Sequence, residues 1–342
     1  MPLTGKRVLV TGGTGSLGKT LIYRLLTGEM GMPKTLVAFS RDEAKQHDMR
    51  LEWKHLAQAT DDIAYKQAQD TLHFQVGDVR DYNSISRAVS NSDVIFHAAA
   101  LKQVPTCEYF PYEAVQTNIT GPYNLARAAL ESPTPPETVI GISTDKACKP
   151  INVMGMTKSL QERILIQANL ETKKTRFMCV RYGNVVASRG SVIPLFQEQI
   201  KNGGPVTITL KEMTRFLLSL DQAVDTTFAT IRYGRAGETF IPRCYAATIT
   251  DIVKLMIGDK NIPIVYTGIR PGEKVHEVLI SEEECFRTTE RNGYYVIQPV
   301  LPELRQEPMN TPPALDKEYS SDGQAVDLDT LANLLRNEGY IA

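Results

Sequence analysis

The sequence predicts an α/β fold, a doubly wound parallel sheet with a smaller C-terminal lobe. Three observations point there. Short apolar runs alternate with longer mixed segments through the first half of the chain, the pattern of buried strands and covering helices. A glycine-rich turn follows the first apolar run, and after Tyr182 the alternation gives way to segments broken by glycine and proline.

The strands are expected in order at "RVLVTG", "TLVAFS", "LHFQVGDV", "DVIFHAAA", "TVIGIST" and "RFMCVRYG". Helices are expected over Leu17 to Leu26 and Tyr112 to Leu130, with Gly or Pro near several helix ends. "ASRGSVIPLF", "NGGPVTIT" and "GIRPGEKVHE" then read as a loop-rich lobe. On this reading residues 1–183, with about 215–245, form the dinucleotide domain, and about 184–214 and 246–342 form the second lobe. Gln298 to Ser321 is rich in proline and polar residues, an extended excursion before a last helix in "DLDTLANLLRNEG".

With 342 residues, 42% hydrophobic and 23% charged, the chain is long enough to bury a deep core. A net charge of -1 and the absence of basic runs argue against nucleic acid or an anionic membrane as partner. The five cysteines are scattered without CxxC spacing, so neither a disulfide framework nor a metal site is expected, and reduced thiols fit a cytoplasmic protein. No apolar stretch approaches the ~20 residues that span a bilayer, and no signal peptide is expected.

"TGGTGSLG" lies between a strand and an apolar-periodic helix, the context that makes a glycine pattern informative. Gly12, Gly15 and Gly18 let the backbone turn, approach a pyrophosphate and pack helix on strand, with Thr14, Ser16 and Leu17 completing a Rossmann-type phosphate turn. At the end of the second strand, where an NAD-selective site places an acidic residue, the chain reads "FSRDEAKQ". Ser40, Arg41 and Lys45 there suit a ribose 2′-phosphate and predict NADP, although Asp42 and Glu43 follow at once. Asp78 and Val79 in "GDVRD" are expected to border the adenine, and Ala98 and Ala99 in "HAAA" to lie against the cofactor. His97 reads as a satisfied core histidine.

These motifs, with "HAAALKQVPTCE", "TNITG", "STDKA", "RYGNVVASRGSVIPLF", "MTRFLLSL" and "RPGEK", resemble the extended short-chain dehydrogenase/reductases. Within them the chain is most similar to the capsular and flagellar UDP-N-acetylglucosamine 4,6-dehydratases, along nearly its whole length. The resemblance implies a catalytic, tightly held NADP, a UDP-hexose substrate and a 4-keto-6-deoxy product. It also implies homo-oligomers, dimers or hexamers.

The implied chemistry oxidises C4, removes the C5 proton, expels the C6 hydroxyl as water and returns the hydride to C6, which requires a base and an acid at one sugar ring. Thr144, Asp145 and Lys146 are the candidates, placed at a strand's carboxyl end, where open parallel sheets bind ligands. Both Asp145 and Lys146 reach the sugar only if the chain leaves strand geometry there. Met154 stands four residues before Lys158, where most relatives have a proton-transferring tyrosine; some similar dehydratases also carry methionine. Lys158 is expected to hold the nicotinamide ribose, Asp145 to take the C4 proton, and Lys146, if its cation is disfavoured, to act as C5 base. The resemblance places Asn184, Arg189, Arg270 and Glu273 around the UDP, with Lys102 at the sugar end. A UDP-hexose 4-epimerase and a non-catalytic NADP-binding regulator, with Met154 as mere core packing, are the alternative readings.

Overall fold

The computed structural model describes residues 1–185, 192–305 and 313–341. Six strands form where the apolar runs place them: β1 (Arg7–Thr11), β2 (Thr35–Ser40), β3 (Leu72–Val76), β4 (Val94–His97), β5 (Thr138–Ile142) and β6 (Arg176–Val180). The later strands are β7 (Asn184–Val185), β8 (Val206–Ile208), β9 (Thr214–Leu218), β10 (Thr239–Ile241), β11 (Tyr245–Thr248), β12 (Ile264–Tyr266), β13 (Val278–Ile280), β14 (Thr288–Arg291), β15 (Tyr294–Ile297) and β16 (Tyr319–Ser320).

The large sheet runs β3-β2-β1-β4-β5-β6-β10-β15-β14, parallel from β3 to β10 and closed by an antiparallel hairpin. Adjacent residues of its strands feed opposite cores, as the period of two demands. Val8 and Val10 pack beneath the Ser16–Leu26 and Leu220–Tyr233 helices, while Leu9 packs with the Gly121–Glu131 and Val153–Ala168 helices. The order reverses between β1 and β4, so the carboxyl ends of those two strands form the crevice where such sheets hold ligands. The β14–β15 hairpin lies within the stretch that the sequence reading gave to the smaller lobe, yet it extends the large sheet.

A separate core gathers Phe196, Val206, Leu217, Ile252, Val253 and the last helix, Leu328–Asn337, through Leu331 and Leu335. The three-stranded sheet β11-β9-β7 and the pair β13-β16 stand beside it.

The single helix expected over Tyr112 to Leu130 is broken into Pro111–Val115, a π-helical turn at Gln116–Thr120, and Gly121–Glu131. Pro122 accounts for the difference, because it has no N–H to give to the carbonyl of Asn118 and its ring crowds that carbonyl. The chain widens instead, and the Gly121 N–H reaches back to Gln116.

Behind β5 and β6 lies a buried charge cluster. Arg181, 3% exposed, donates to both oxygens of Glu162 (3.1 and 2.7 Å), to both oxygens of Glu284 (2.7 and 3.0 Å) and to the Leu279 carbonyl. It thereby ties the sheet, the Val153–Ala168 helix and β13 together. Despite burial, the Arg181 and Arg287 guanidinium groups hold the Glu284 carboxyl down to about 2.

Removing Arg181 strands two buried carboxylates, so Arg181→Met should lower stability by about 3–5 kcal/mol in urea unfolding. The stability that Glu284 contributes is complete above its ordinary value of 4.5 and is lost as pH falls toward 2. Wild-type unfolding midpoints should therefore drop more steeply over that window than those of Glu284→Gln; parallel slopes would contradict the clamp.

Candidate active site

The phosphate turn sits at the β1/β4 crevice. Gly12 has φ +70°, and a Cβ there would stand 2.8 Å from the Ala98 carbonyl carbon and the Ala99 nitrogen. A Cβ on Gly18 would meet the Gly12 oxygen at 2.4 Å. Only glycine allows this turn, with the helix packed directly on it. Gly15 caps the Ser16–Leu26 helix without a side-chain hydrogen bond to the helix amides, leaving the helix N-terminus to an anion. Thr14, Ser16 and Leu17 are half-buried around it. The cradle fits a dinucleotide pyrophosphate.

At the far end, Ser40 closes β2 and accepts a 3.0 Å hydrogen bond from buried Gln46, which also donates to the Ser40 and Gln75 carbonyls. Gln46 thus fixes the ends of β2 and β3, and Arg41 stands exposed just beyond. Lys45 pairs with Asp42, the cap of the Glu43–Ala59 helix. Asp78 is engaged by Arg80 (2.7 Å), and Val79 is buried. His97 is wholly buried; its Nδ1 shares a 2.9 Å hydrogen bond with Thr11, while Nε2 has no partner. Burial first, and then the field of Lys158, pushes its pKa down to about 3, so the imidazole is neutral.

The chain leaves strand geometry at the end of β5, as the sequence requires. Asp145–Ala147 form a 3-10 turn capped by the Thr144 side chain, and the Asp145 amide donates to the Tyr182 carbonyl. Asp145 is fully buried; its Oδ1 accepts from Thr144 Oγ1 (2.9 Å) and Lys146 Nζ (3.0 Å), while Oδ2 has no hydrogen-bond partner. Lys146 Nζ also donates to Asn184 Oδ1 (2.9 Å) and lies 3.4 Å from Glu277 Oε1. Burial opposes the Lys146 cation, but Asp145 and Glu277 outweigh it and raise its pKa. The expectation that the Lys146 cation is disfavoured therefore does not hold; Asp145 and Glu277 favour it.

Lys158 and Met154 share the Val153–Ala168 helix. Lys158 Nζ donates to the Ile142 carbonyl and to Gln161 Oε1 (2.6 Å), and burial pushes its pKa down to about 8. Met154, 5% exposed, packs with Cys107 and Ala114, flanked by Leu101, Val104 and Val153. Beside them Asn118 in the π-helical turn pairs with both backbone groups of Leu101 and donates to Thr157.

The "RPGEK" loop docks on this helix. Asn152 donates to the Gly272 carbonyl (2.7 Å), and Lys274 Nζ donates to the Cys148 carbonyl (2.6 Å). Arg270 is exposed, 3.9 Å from Glu273, whose Oε2 is buried without a partner. Lys102 is exposed at the loop after β4, and Arg189 lies outside the described residues. Among the described residues no group of His, Cys, Asp and Glu is arranged to hold a metal, and no helix is long and apolar enough to cross a membrane.

Sequence reasoning missed Glu277, Arg215, Gln161 and Asn118. The first had a signal: one carboxylate directly before the apolar run "VLI".

A family model described as polysaccharide biosynthesis protein matches residues 8–299. The chain belongs to the polysaccharide biosynthesis protein family, among the extended short-chain dehydrogenase/reductases. A family relative from Rickettsia typhi named UDP-glucose 4-epimerase is 44% identical over 298 residues, 85% of this chain and 82% of the relative. The crystal structure of Pen from Bacillus thuringiensis superposes over 100% of both chains with a TM-score of 0.87 and 33% identity. The dTDP-glucose 4,6-dehydratase of Streptomyces venezuelae, solved with NAD bound, has a TM-score of 0.65 and 20% identity over 79% of this chain and 86% of its own. At that identity the likeness is one of fold.

The packing around Met154 predicts the response to change. Met154→Leu should stay within ~1.5 kcal/mol of wild type, whereas Met154→Tyr, overfilling a site against Cys107 and Ala114, should cost ~1–3 kcal/mol in urea unfolding. A tyrosine tolerated without loss would show that the site has room for the phenol.

Proposed function

We propose that this protein is a UDP-N-acetylglucosamine 4,6-dehydratase that uses NADP catalytically and makes a UDP-4-keto-6-deoxy-N-acetylhexosamine for surface polysaccharide or glycan. One observation carries the reading: at the carboxyl end of β5, a buried carboxylate with one open oxygen, Asp145, adjoins a lysine held as a cation, Lys146. Such a pair can accept one proton and give another at the same sugar ring.

A nicotinamide held by the phosphate cradle would supply the hydride acceptor for C4 and the hydride donor for C6. Asp145 accepts the C4 hydroxyl proton at Oδ2, with Thr144 holding the C4 oxygen. Lys146 then faces one charged carboxylate, Glu277, instead of two, and releases its proton more readily. That proton goes to the departing C6 hydroxyl, which leaves as water, and the neutral amine accepts the C5 proton. The Lys146 ammonium, whose protons exchange with solvent, then protonates C5 as C6 is reduced, and Asp145 recharges Lys146. The face on which C5 is reprotonated sets retention or inversion. Met154 takes no proton in this scheme; Lys158 binds the nicotinamide ribose by exchanging its internal partners for the ribose hydroxyls.

Gly12, Gly15, Gly18, Ala98 and Ala99 cradle the pyrophosphate, and Arg41, with Ser40 and Lys45 nearby, meets the 2′-phosphate. Asn184, Lys102, Arg189, Arg270 and Glu273 bind the UDP-sugar, largely from the second lobe. Tyr112, Tyr123, Met156 and Leu160 are exposed apolar side chains on neighbouring helices and support association of copies, as a dimer or hexamer.

A second reading is a UDP-hexose 4-epimerase, favoured by the names of relatives near 44% identity. Epimerisation needs a C4 proton acceptor but no C5 base. A non-catalytic regulator would need neither.

Purified protein given UDP-N-acetylglucosamine in heavy water should form a 4-keto-6-deoxy product carrying solvent deuterium at C5, seen by NMR, with no net NADPH accumulation. A C4 epimer with its C5 proton intact would establish the epimerase instead, and stoichiometric NADPH would mean a simple dehydrogenase.

Arg41→Ala should weaken NADP more than NAD in calorimetric titration, since only NADP loses a phosphate partner. Equal losses would remove the NADP assignment.

A further inference from the structure

Glu277 is a buried carboxylate that arrives in the site from outside the catalytic turn. It precedes β13 and is 2% exposed. Its Oε1 lies 3.4 Å from Lys146 Nζ and 3.7 Å from Arg215 Nε, while Oε2 is buried with no hydrogen-bond partner. An uncompensated oxygen of this kind is costly to bury. It persists because the backbone around it is fixed independently of its charge. The Glu277 amide donates to Ser321 Oγ (2.9 Å), the Glu277 carbonyl accepts from the Ser321 amide, and Arg181 holds the Leu279 carbonyl two residues on.

We propose that Glu277 is a positioning residue for the reaction: its Oε1 aims the Lys146 ammonium at the sugar, and its Oε2 receives a hydroxyl of the bound sugar nucleotide. The inference rests on the dehydratase reading for the identity of that sugar, but not for the contact with Lys146.

Three charged groups and one neutral amide, from four segments, surround Lys146. Asp145 flanks it on the 3-10 turn, Glu277 faces it from the approach to β13, and Arg215 opposes both from β9. From β7, the neutral Asn184 side chain accepts from it. Glu277 is thus one of two anions that keep Lys146 protonated against its own burial and against Arg215. Arg215 is itself anchored on the carbonyls of Thr214, Lys274 and Val275, so it does not swing away to neutralise Glu277 more closely. When Asp145 accepts a proton, Glu277 is the anion that remains, and it decides how far the lysine's acidity changes during the cycle.

The experiment compares wild type, Glu277→Gln and Glu277→Asp in three measurements. Titration of Lys146, followed by NMR in protein carrying 13Cε-lysine and assigned with Lys146→Arg, needs no substrate. Glu277→Gln should move its midpoint to lower pH, and Glu277→Asp, which keeps the charge, should largely restore it. With UDP-N-acetylglucosamine, Glu277→Gln should reduce kcat about 100-fold, the loss expected when a reacting group is misplaced by about 1 Å, and shift the alkaline limb of the pH–rate profile to lower pH. NADP affinity and the urea unfolding midpoint should change little.

An unchanged Lys146 midpoint in folded Glu277→Gln overturns the proposal, whatever the substrate proves to be. So does a loss of activity that follows loss of stability while the alkaline limb stays in place. If Glu277→Gln does not fold, Glu277→Asp carries the test: a Lys146 midpoint near that of wild type with reduced kcat supports the proposal, and wild-type kcat and KM in that variant overturn it. A wild-type protein that leaves UDP-N-acetylglucosamine untouched refutes the dehydratase reading alone, because the Lys146 titration still reads the contact with Glu277.

Discussion

One ammonium group holds the site together. Lys146 Nζ touches Asp145 Oδ1, Asn184 Oδ1 and Glu277 Oε1, three oxygens from three separate segments of the chain. A cation placed between two buried carboxyl groups lowers the electrostatic cost of bringing them into one site. The desolvation cost of such a cluster is high, and replacing it with apolar side chains would in general be no less stable. Its value lies in what it leaves unpaired, one acceptor oxygen on each carboxyl group within a fixed frame.

That frame is built by ordinary means. The end of β5 delivers the 3-10 turn, the β1/β4 crevice supplies the phosphate cradle, and the "RPGEK" loop reaches over to the Val153–Ala168 helix through Asn152 and Lys274. Arg181 repeats the device of the site one layer deeper, a single cation holding Glu162 and Glu284. Because Glu162 also accepts from Ser143, next to Thr144, this deeper clamp bears directly on the Asp145–Ala147 turn.

Of the six parallel strands, β1, β4, β5 and β6 were legible because they are covered on both faces and read as near-continuous apolar runs, while β2 and the edge strand β3 are partly exposed and read as mixed runs. The β14–β15 hairpin was not: "TTER" is a polar edge strand in which Thr288 is buried and Glu290 exposed, and only the pairing of "YYVI" with β10 draws the hairpin into the large sheet. The π-helical turn was foreshadowed by Pro122, but the pull of Asn118 on Leu101 is a tertiary contact that local pattern does not contain. In the site, the glycine turn and the Asp145–Lys146 pair were visible because their chemistry is local in sequence. The charge state of Lys146 was not, because Glu277 stands 131 positions later and its influence depends wholly on folding.

The central claim is that Asp145, with no help from a side chain at position 154, takes the C4 hydroxyl proton and passes it on to Lys146. Rapid-quench turnover of UDP-N-acetylglucosamine by Asp145→Asn, with NADP occupancy and folding checked, tests it most directly. The amide keeps the shape and removes the acceptor, so dehydration should slow by ~100- to 10,000-fold, while Met154→Leu measured alongside should turn over at close to the wild-type rate. Near-normal dehydration by Asp145→Asn, or failure of a folded, NADP-bound Met154→Leu to oxidise C4, would contradict the account.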